Sequence, residues 1–318
     1  MSMAKQINNI NISYKMEEFL KYKEANMMLP PNLKSFCNDI GGTILFRDEM
    51  IKEVGNIIDT FMNGRNPNDI LFKNSIIEAL NNITQRNYQN VITNLKSLNF
   101  DKAEHFTTLA SDLLICAMTD ITGVKGIEMP SGQISSSEIF VLVASDFFPL
   151  MITDNGKNIK FSSVFLDLCK RHFDDFSDPI KPLDHNNLYR VDNFKGFTNF
   201  LGLLYSKGLV NSFVINDCIT RLVNLIYNTT WGQTESENVY EGYRRILNNT
   251  LKSIEKKSEF KDTDLKFLNQ LIKTHQDITE KNKSSSKLRR FTMMYHGENE
   301  KRLQKLITTV ETAINQKN

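Results

Sequence analysis

The sequence is poor in the residues that interrupt regular structure. Its 318 residues include only 14 glycines and 7 prolines. A β-sandwich or β-barrel needs turn residues at about every 8–12 positions, so this scarcity argues against an all-β fold and favours helices. Hydrophobic residues make up 40% of the chain and aromatic residues 10%, which is enough to fill a core and excludes a chain that is disordered throughout.

Cysteine is also scarce, and neither sign of charge dominates. The four cysteines, at positions 37, 116, 169 and 218, form no CxxC pair and no zinc-type cluster. We interpret them as small buried apolar residues in a reducing compartment. With 39 basic and 37 acidic residues the net charge is +2, so no global field draws the chain onto nucleic acid. Any RNA contact must therefore be local.

Long hydrophobic runs are missing. No apolar stretch approaches the roughly 20 residues that span a bilayer, and Met1–Asn9 lacks the hydrophobic segment of a signal peptide. We therefore expect a cytoplasmic protein that does not enter a membrane. The composition, rich in Asn, Ile and Lys, suggests a protist or a large DNA virus as the source, and a viral protein would act in the host cytoplasm.

Signatures of catalysis are absent as well. The five histidines, at positions 105, 172, 185, 275 and 296, never occur in HxH or HxxxH spacing, and no phosphate-binding glycine motif is present. We assign these histidines surface or capping roles, and we interpret the acidic cluster Asp174, Asp175 and Asp178 as a solvated face. The sequence predicts no catalytic residue, no metal and no cofactor. The alternative, an enzyme with a helical active site, would need groups of perturbed pKa in a deep pocket.

Residues 1–65 differ in pattern from the rest. A short amphipathic segment, Ile12–Met28, is followed by Pro30 and Pro31 and then by the pair Gly41 and Gly42. Prolines and paired glycines end helices, so we predict an extended arm that contains one helix. Residues 66–318 are predicted to form a separate helical domain.

From residue 68 onward the apolar residues recur with the helical period. The pattern predicts helices over about 68–80, 85–98, 103–118, 137–152, 161–176, 193–206, 211–227, 236–254, 262–279 and 285–313, with surface loops at 121–137 and 178–192. Successive helices without strands between them favour an all-α fold. We predict an α–α superhelix, a HEAT-like solenoid of about five helical hairpins.

Four segments in this order resemble the middle domain of eukaryotic translation initiation factor 4 gamma. They are Leu80–Tyr88, Val164–Asp175, Phe197–Ile219, and Asn238–Leu247 followed by Ser285–Arg289. The match departs from the family at Gln85, which replaces a proline, and at Leu203, which replaces a glutamate. Within the third segment Gly202 lies inside a helix, where glycine costs about 1 kcal/mol, so we expect a neighbouring helix to approach closely there.

The first segment corresponds to the turn between the two helices of the first hairpin in that family, which we call the helical corner. We expect Thr84 to be the N-cap of the second helix, with Leu80, Ile83 and Tyr88 holding the corner between the two helices. The resemblance implies that Leu80, Ile83 and Tyr88 bind a DEAD-box RNA helicase of the initiation factor 4A type. The alternative role for these three residues is core packing.

The arm carries a second resemblance. Tyr14–Leu20 is similar to the peptide, Tyr-x-x-x-x-Leu-Φ, with which the family grips the cap-binding initiation factor of the 4E type, and Phe19 stands in place of leucine. The resemblance implies that Tyr14, Phe19 and Leu20 enter an apolar groove of that protein, with Leu29 and Leu33 of the segment 12–33 adding further contacts. The alternative is an ordinary amphipathic helix that docks on its own domain.

Local basic residues are the candidates for contact with RNA. Lys170, Arg171, Lys287, Arg289 and Arg290 could contact mRNA phosphates weakly, and the alternative is a solvated helix face. The resemblance implies a translation initiation scaffold that holds a helicase and a cap-binding protein and recruits capped mRNA. The other open interpretation is a middle-domain relative in nonsense-mediated decay, nuclear cap binding or poly(A)-linked translation control.

Overall fold

The structure, a computed structural model, describes residues 67–120, 125, 129, 131–228 and 230–316. The predicted cap-binding-protein contacts Tyr14, Phe19, Leu20, Leu29 and Leu33 lie outside the described residues. The described part is mostly helical, as predicted. Its elements are α1 (Pro67–Asn82), α2 (Tyr88–Ser97), α3 (Ala103–Thr119), α4 (Ser136–Phe147), β1 (Met151–Asp154), β2 (Lys157–Lys160), α5 (Phe161–Phe176), a 3-10 turn (His185–Asn187), α6 (Leu188–Ser206), α7 (Ser212–Ile226), α8 (Gln233–Glu255), α9 (Asp262–Ser285) and α10 (Arg290–Asn315).

Helices α3, α6 and α8 form the middle of the domain. α3 packs on α1, α4, α5 and α6, while α6 packs most extensively on α8, and α8 also contacts α7 and α10. A series of phenylalanine rings in contact runs through the first half of this core, with centroids 5.5–6.3 Å apart; it comprises Phe100, Phe106, Phe147, Phe161, Phe165 and Phe200. Aromatic packing of this kind buries large apolar areas with few residues.

Two glycines let α6 approach its neighbours closely. A Cβ atom built at Gly202 would lie 2.7 Å from Cβ of Asn249 on α8, and one built at Gly196 would lie 2.1 Å from the carbonyl oxygen of Met118 on α3. Both distances are shorter than any van der Waals contact, so a side chain fits at neither position. The packing role predicted for Gly202 is confirmed, and Gly196, which the sequence analysis did not single out, is packed more tightly.

The helix predicted over 137–152 is wrong in its second half. α4 ends at Phe147, and an antiparallel hairpin follows in which Met151 pairs with Lys160 and Asp154 pairs with Lys157. Its turn residues Asn155 and Gly156 have φ of 49° and 74°. Asn-Gly is the pair that a two-residue hairpin turn requires, because both residues take positive φ.

The hairpin also completes a helix that is distant in sequence. The residue before α3, Lys102, makes no side-chain cap, and the Asp154 carboxylate instead accepts a hydrogen bond of 3.0 Å from the backbone N–H of Ala103. The first turn of a helix leaves N–H groups without intrahelical partners, and a carboxylate there is favoured by the helix dipole as well. The hairpin of β1 and β2 therefore supplies the N-terminal cap of α3.

Several helix starts also differ from the prediction, among them that of α10, which begins at Arg290 rather than at residue 285. Thr84 is not the N-cap of α2: the helix begins at Tyr88, and Asn87 occupies the cap position. α6 begins at Leu188 rather than at residue 193, because the Asn187 side chain accepts a hydrogen bond of 3.0 Å from the backbone N–H of Arg190 and so caps the helix.

A surface role is wrong for three of the five histidines, because His105, His275 and His296 are buried. His275 of α9 and His296 of α10 are almost fully buried, and their rings stack with centroids 3.5 Å apart and planes 9° apart. Each Nε2 lies 2.8–2.9 Å from the other histidine's backbone carbonyl oxygen. Since a carbonyl only accepts, each Nε2 carries the proton, and each Nδ1 accepts from a tyrosine hydroxyl of α8, Tyr243 at 2.5 Å and Tyr240 at 3.2 Å.

A candidate binding cleft at the first helical corner

The turn between α1 and α2 is held by its own side chains. The Asn87 carboxamide oxygen accepts from the backbone N–H of Thr84 at 2.6 Å, and its nitrogen donates to the Asn82 carbonyl at 2.8 Å. Asn87 thus binds both ends of the turn and satisfies a free carbonyl at the end of α1. The corner predicted from the motif is present, but the residue that fixes it is Asn87 rather than Thr84.

Gln85 connects this corner to the segment before α4. Its amide nitrogen donates to the Gly132 carbonyl at 3.2 Å, and its amide oxygen accepts from the Ile134 N–H at 3.3 Å. A proline could make neither bond. Gln85 therefore links the corner to residues 132–134.

The three residues predicted to bind a helicase have different environments. Leu80 and Ile83 are 2% and 9% exposed and belong to the core. Tyr88 is half-buried, and its hydroxyl donates to Asp146 of α4 at 2.5 Å, a carboxylate that also pairs with Lys96 at 2.9 Å. Burial and the neighbouring carboxylate raise the pKa of Tyr88. All three side chains have structural partners within the chain.

A shallow cleft of about 220 Å³ opens beside Leu80 and Ile83. Its other walls come from α1, the end of α3 and the start of α4; the lining residues are Leu80, Asn81, Ile83, Cys116, Thr119, Asp120, Ser136 and Phe140. Small-molecule sites occupy about 300–1,000 Å³, so this cleft is small for a metabolite. Its size suits a side chain inserted by another protein.

The far wall of the cleft is set by the cap of α4. Asp120 accepts hydrogen bonds from the backbone N–H and the hydroxyl of Ser137, at 3.0 and 2.6 Å. Ser135 and Glu138 form a capping box at the same helix start. These bonds fix the end of α3 to the start of α4, so the cleft is a preformed feature of the packing. The sequence motif pointed to Leu80 and Ile83 but gave no signal for Cys116 or Asp120, which lie outside it.

The cleft contains one thiol, that of Cys116. Burial, with a smaller contribution from Asp112, raises the pKa of the Cys116 thiol to about 11, so the reactive thiolate is scarce at neutral pH. Across the part of the chain that the structure describes, no group of three or more His, Cys, Asp or Glu side chains is arranged to hold a metal ion. None of the described helices is both long enough and apolar enough to cross a bilayer.

The predicted RNA contacts lie on two separate helix surfaces. On α5, Lys170 pairs with Asp174 at 2.7 Å and Arg171 with Asp167 at 2.6 Å. These pairs link residues one helical turn apart, an arrangement that is common on solvated faces.

The second group lies where α10 begins. Lys287 donates to the Trp231 carbonyl, Arg289 pairs with Glu237 at 3.3 Å, and Arg290 is exposed. Of the five predicted RNA contacts, four therefore already have partners within the chain.

In comparisons with known proteins, no family profile matches this chain and no curated protein matches it.

Proposed function

We propose that the chain is a non-catalytic scaffold of translation initiation, in which the cleft at the α1–α2 corner holds a DEAD-box helicase of the initiation factor 4A type. The arm, residues 1–65, holds a cap-binding protein of the 4E type through Tyr14, Phe19 and Leu20. The helical domain is an α–α superhelix of HEAT-like hairpins. Weak contacts of Lys287, Arg289 and Arg290 with mRNA phosphates add to recruitment, and the protein acts in the cytoplasm.

The observation that carries this proposal is the preformed cleft at the position to which the helical-corner motif points. Leu80 and Ile83 form its apolar base, and hydrogen bonds that Asn87 donates and that Gln85 and Asp120 accept fix its surroundings. Rigid small clefts with apolar bases are typical of surfaces where a partner inserts an anchoring side chain. One chain that holds both partners would raise the concentration of the helicase at the capped end of an mRNA.

Replacing Leu80 or Ile83 cannot test this proposal cleanly. Truncating a buried leucine costs about 2–5 kcal/mol, so lost binding could reflect lost structure. Thr119 offers a better test, because it lines the cleft and is exposed on the last turn of α3. Thr119→Arg should block the cleft while leaving the core unchanged.

Thr107 supplies the matched control. It lies on the first turn of the same helix, is also exposed, and bonds the carbonyl four residues earlier as Thr119 does. We expect Thr119→Arg to weaken helicase binding at least tenfold by calorimetry and Thr107→Arg to leave the affinity unchanged. Absence of helicase binding by the unaltered chain would refute the proposal. Equal helicase affinity of the two variants would show that the helicase does not dock at this cleft.

The arm is tested separately. Tyr14→Ala with Leu20→Ala should abolish capture of the cap-binding protein without lowering the melting temperature, because these side chains would be buried only in the partner. A relative from nonsense-mediated decay, nuclear cap binding or poly(A)-linked control would lack this peptide. Failure of the unaltered chain to bind the 4E-type protein in the same pull-down would therefore favour that alternative.

A further inference from the structure

Helices α8 and α10 run side by side in the same direction. Near their starts, the Thr292 hydroxyl of α10 donates a hydrogen bond to Glu237 of α8 at 3.1 Å. Further along, Arg302 of α10 donates two hydrogen bonds, at 2.7 and 2.8 Å, to the carboxylate of Glu255, the last residue of α8. The second half of this contact therefore brings the end of α8 beside the middle of α10.

Residues 241–256 and 295–305, which we call the α8–α10 seam, carry an excess of cations. They include seven Lys and Arg residues and four Glu residues, a net charge of +3, whereas the whole chain has a net charge of +2. The exposed lysines of the seam are Lys252, Lys256, Lys301 and Lys305. The hydrogen bonds from Arg302 lower the pKa of Glu255, and the charges of Lys252 and Lys305 lower it further, so lysines of both helices lie near the same carboxylate.

The arginines of the seam are bonded to its glutamates, whereas two of its lysines are not. Besides the pair described above, Glu241 accepts from Arg244 at 2.7 Å and from Arg245 at 2.9 Å. Lys301 and Lys305 are exposed, and neither forms an ion pair with a described residue. Their ammonium groups are therefore accessible to an anionic partner.

An exposed aromatic ring lies on the same seam. Tyr295 is 43% exposed. The bonds to Glu241 raise the pKa of Arg244, and Tyr295 contributes to this rise, which places the ring near α8. Lys301 and Lys305 follow about 9 and 15 Å further along the axis of α10. Lysines bind the phosphates of a nucleic-acid strand and exposed aromatic rings stack its bases, so this order of groups suits such a strand.

We propose that the α8–α10 seam binds single-stranded RNA, with a base stacked on Tyr295 and phosphates bonded to Lys301 and Lys305. Lys252 adds a phosphate contact from α8. A single strand fits better than a duplex, whose bases are already stacked in pairs, and better than an acidic peptide, which offers no base to the ring. The strand would be the mRNA that the proposed scaffold recruits, so its identity rests on the proposed function.

Fluorescence anisotropy with a short labelled oligouridylate tests the seam in the full-length chain. Lys301→Gln with Lys305→Gln should weaken binding at least about fivefold and reduce the slope of log affinity against log salt by about 1.4, since each phosphate contact of a single strand contributes about 0.7. Lys170→Gln with Arg171→Gln is the matched control, because it removes the same charge from an exposed helix face on which both residues are paired with aspartates. The control should change neither quantity.

Two variants of Tyr295 test the ring. Tyr295→Leu should weaken binding at least about fivefold without changing the salt dependence, because stacking of a base on an aromatic ring stabilises a bound strand. Tyr295→Phe keeps the ring and should keep the affinity. Glu298→Gln, which removes an exposed carboxylate from the seam, should strengthen binding.

The outcomes separate this site from the proposed scaffold. Absence of oligouridylate binding, or equal affinity of the double lysine variant and its control, would overturn the RNA site. Full affinity of Tyr295→Leu, or equally tight binding of an oligoglutamate of the same charge, would also overturn it, since either result would assign the seam to anions in general. The helicase and cap-binding measurements use no RNA, so their failure would refute the scaffold and leave the oligouridylate result standing.

Discussion

The stacked pair of His275 and His296 makes the stability of the domain depend on pH. Burial, together with a smaller contribution from the positive charge that His296 carries when protonated, lowers the pKa of His275 from 6.5 to about 3. Burial lowers the pKa of His296 to about 4. Both rings are neutral in the folded chain at pH 5, whereas in the unfolded chain they are largely protonated there.

The sign and size of this change in the free energy of unfolding follow from proton linkage. A histidine whose folded pKa lies below its unfolded value contributes stability that is present above pH 6.5 and is lost as the pH falls toward the folded pKa. Each such group changes the free energy of unfolding by at most about 1.4 kcal/mol per pH unit. Between pH 7 and pH 5 each ring accounts for about 2 kcal/mol, so the pair accounts for about 4 kcal/mol.

The groups around the rings do not titrate in this interval. Burial raises the pKa of Tyr240, Tyr243 and the nearby Tyr227, so their hydroxyls stay neutral. Burial also raises the pKa of Glu241, but its hydrogen bonds and charge attraction with Arg244 and Arg245 outweigh burial and leave its pKa below 4.5. These neighbouring groups therefore do not contribute to the pH dependence between pH 5 and pH 7.

Urea unfolding at pH 7, 6 and 5 measures this effect. We expect the free energy of unfolding to fall by about 4 kcal/mol across the interval, and most of that dependence to vanish in the His275→Gln, His296→Gln double variant. His172→Gln is the control, because burial also lowers the pKa of this half-buried ring but it lies outside the stacked pair. The reasoning is refuted if the free energy of unfolding of the wild type does not change with pH, or if the double variant keeps the full change.

Three further predictions concern packing and capping. Gly196→Ala should lower the free energy of unfolding by at least about 3 kcal/mol in urea titrations, because its Cβ would collide with the Met118 carbonyl; a loss below 1 kcal/mol would show that α6 can shift. Asp154→Ala should lower the free energy of unfolding by about 1 kcal/mol, because it removes the cap of the Ala103 N–H group. Hydrogen exchange should then be faster at the first turn of α3, and an unchanged exchange rate there would contradict the capping role. Tyr88→Phe should cost about 1.5–3 kcal/mol by removing the charged hydrogen bond to Asp146; thermal unfolding with no change in midpoint would contradict that role.

Much of the helical architecture could be predicted from periodicity. The helices over 161–176 and 103–118 were predicted to within one residue, because apolar residues recur there without a competing signal. The hairpin at 151–160 was missed, because Met151 and Ile152 were assigned to the end of the preceding helix and the Asn-Gly turn to the polar loop after it. The solenoid arrangement and the partner proteins stay predictions.

The candidate site was only half visible in the sequence. Leu80 and Ile83 belong to a local motif, so their proximity in space follows from their spacing. Cys116 and Thr119 reach the same cleft because α3 packs beside α1, and no local pattern specifies that packing. The burial of His275 and His296 was likewise hidden, because their reciprocal hydrogen bonds join two helices.

The cap that Asp154 provides has a consequence for the order of folding during synthesis. The Asp154 carboxylate lies 51 residues after the Ala103 N–H group from which it accepts a hydrogen bond, so α3 leaves the ribosome with an incomplete first turn. A helix that packs against four others would thus gain its final N-terminal bond only after residue 154 has emerged and the hairpin has closed. Until then, the nascent chain should hold α3 in a frayed, protease-sensitive state, and translation speed through the hairpin should influence how much of the chain folds correctly.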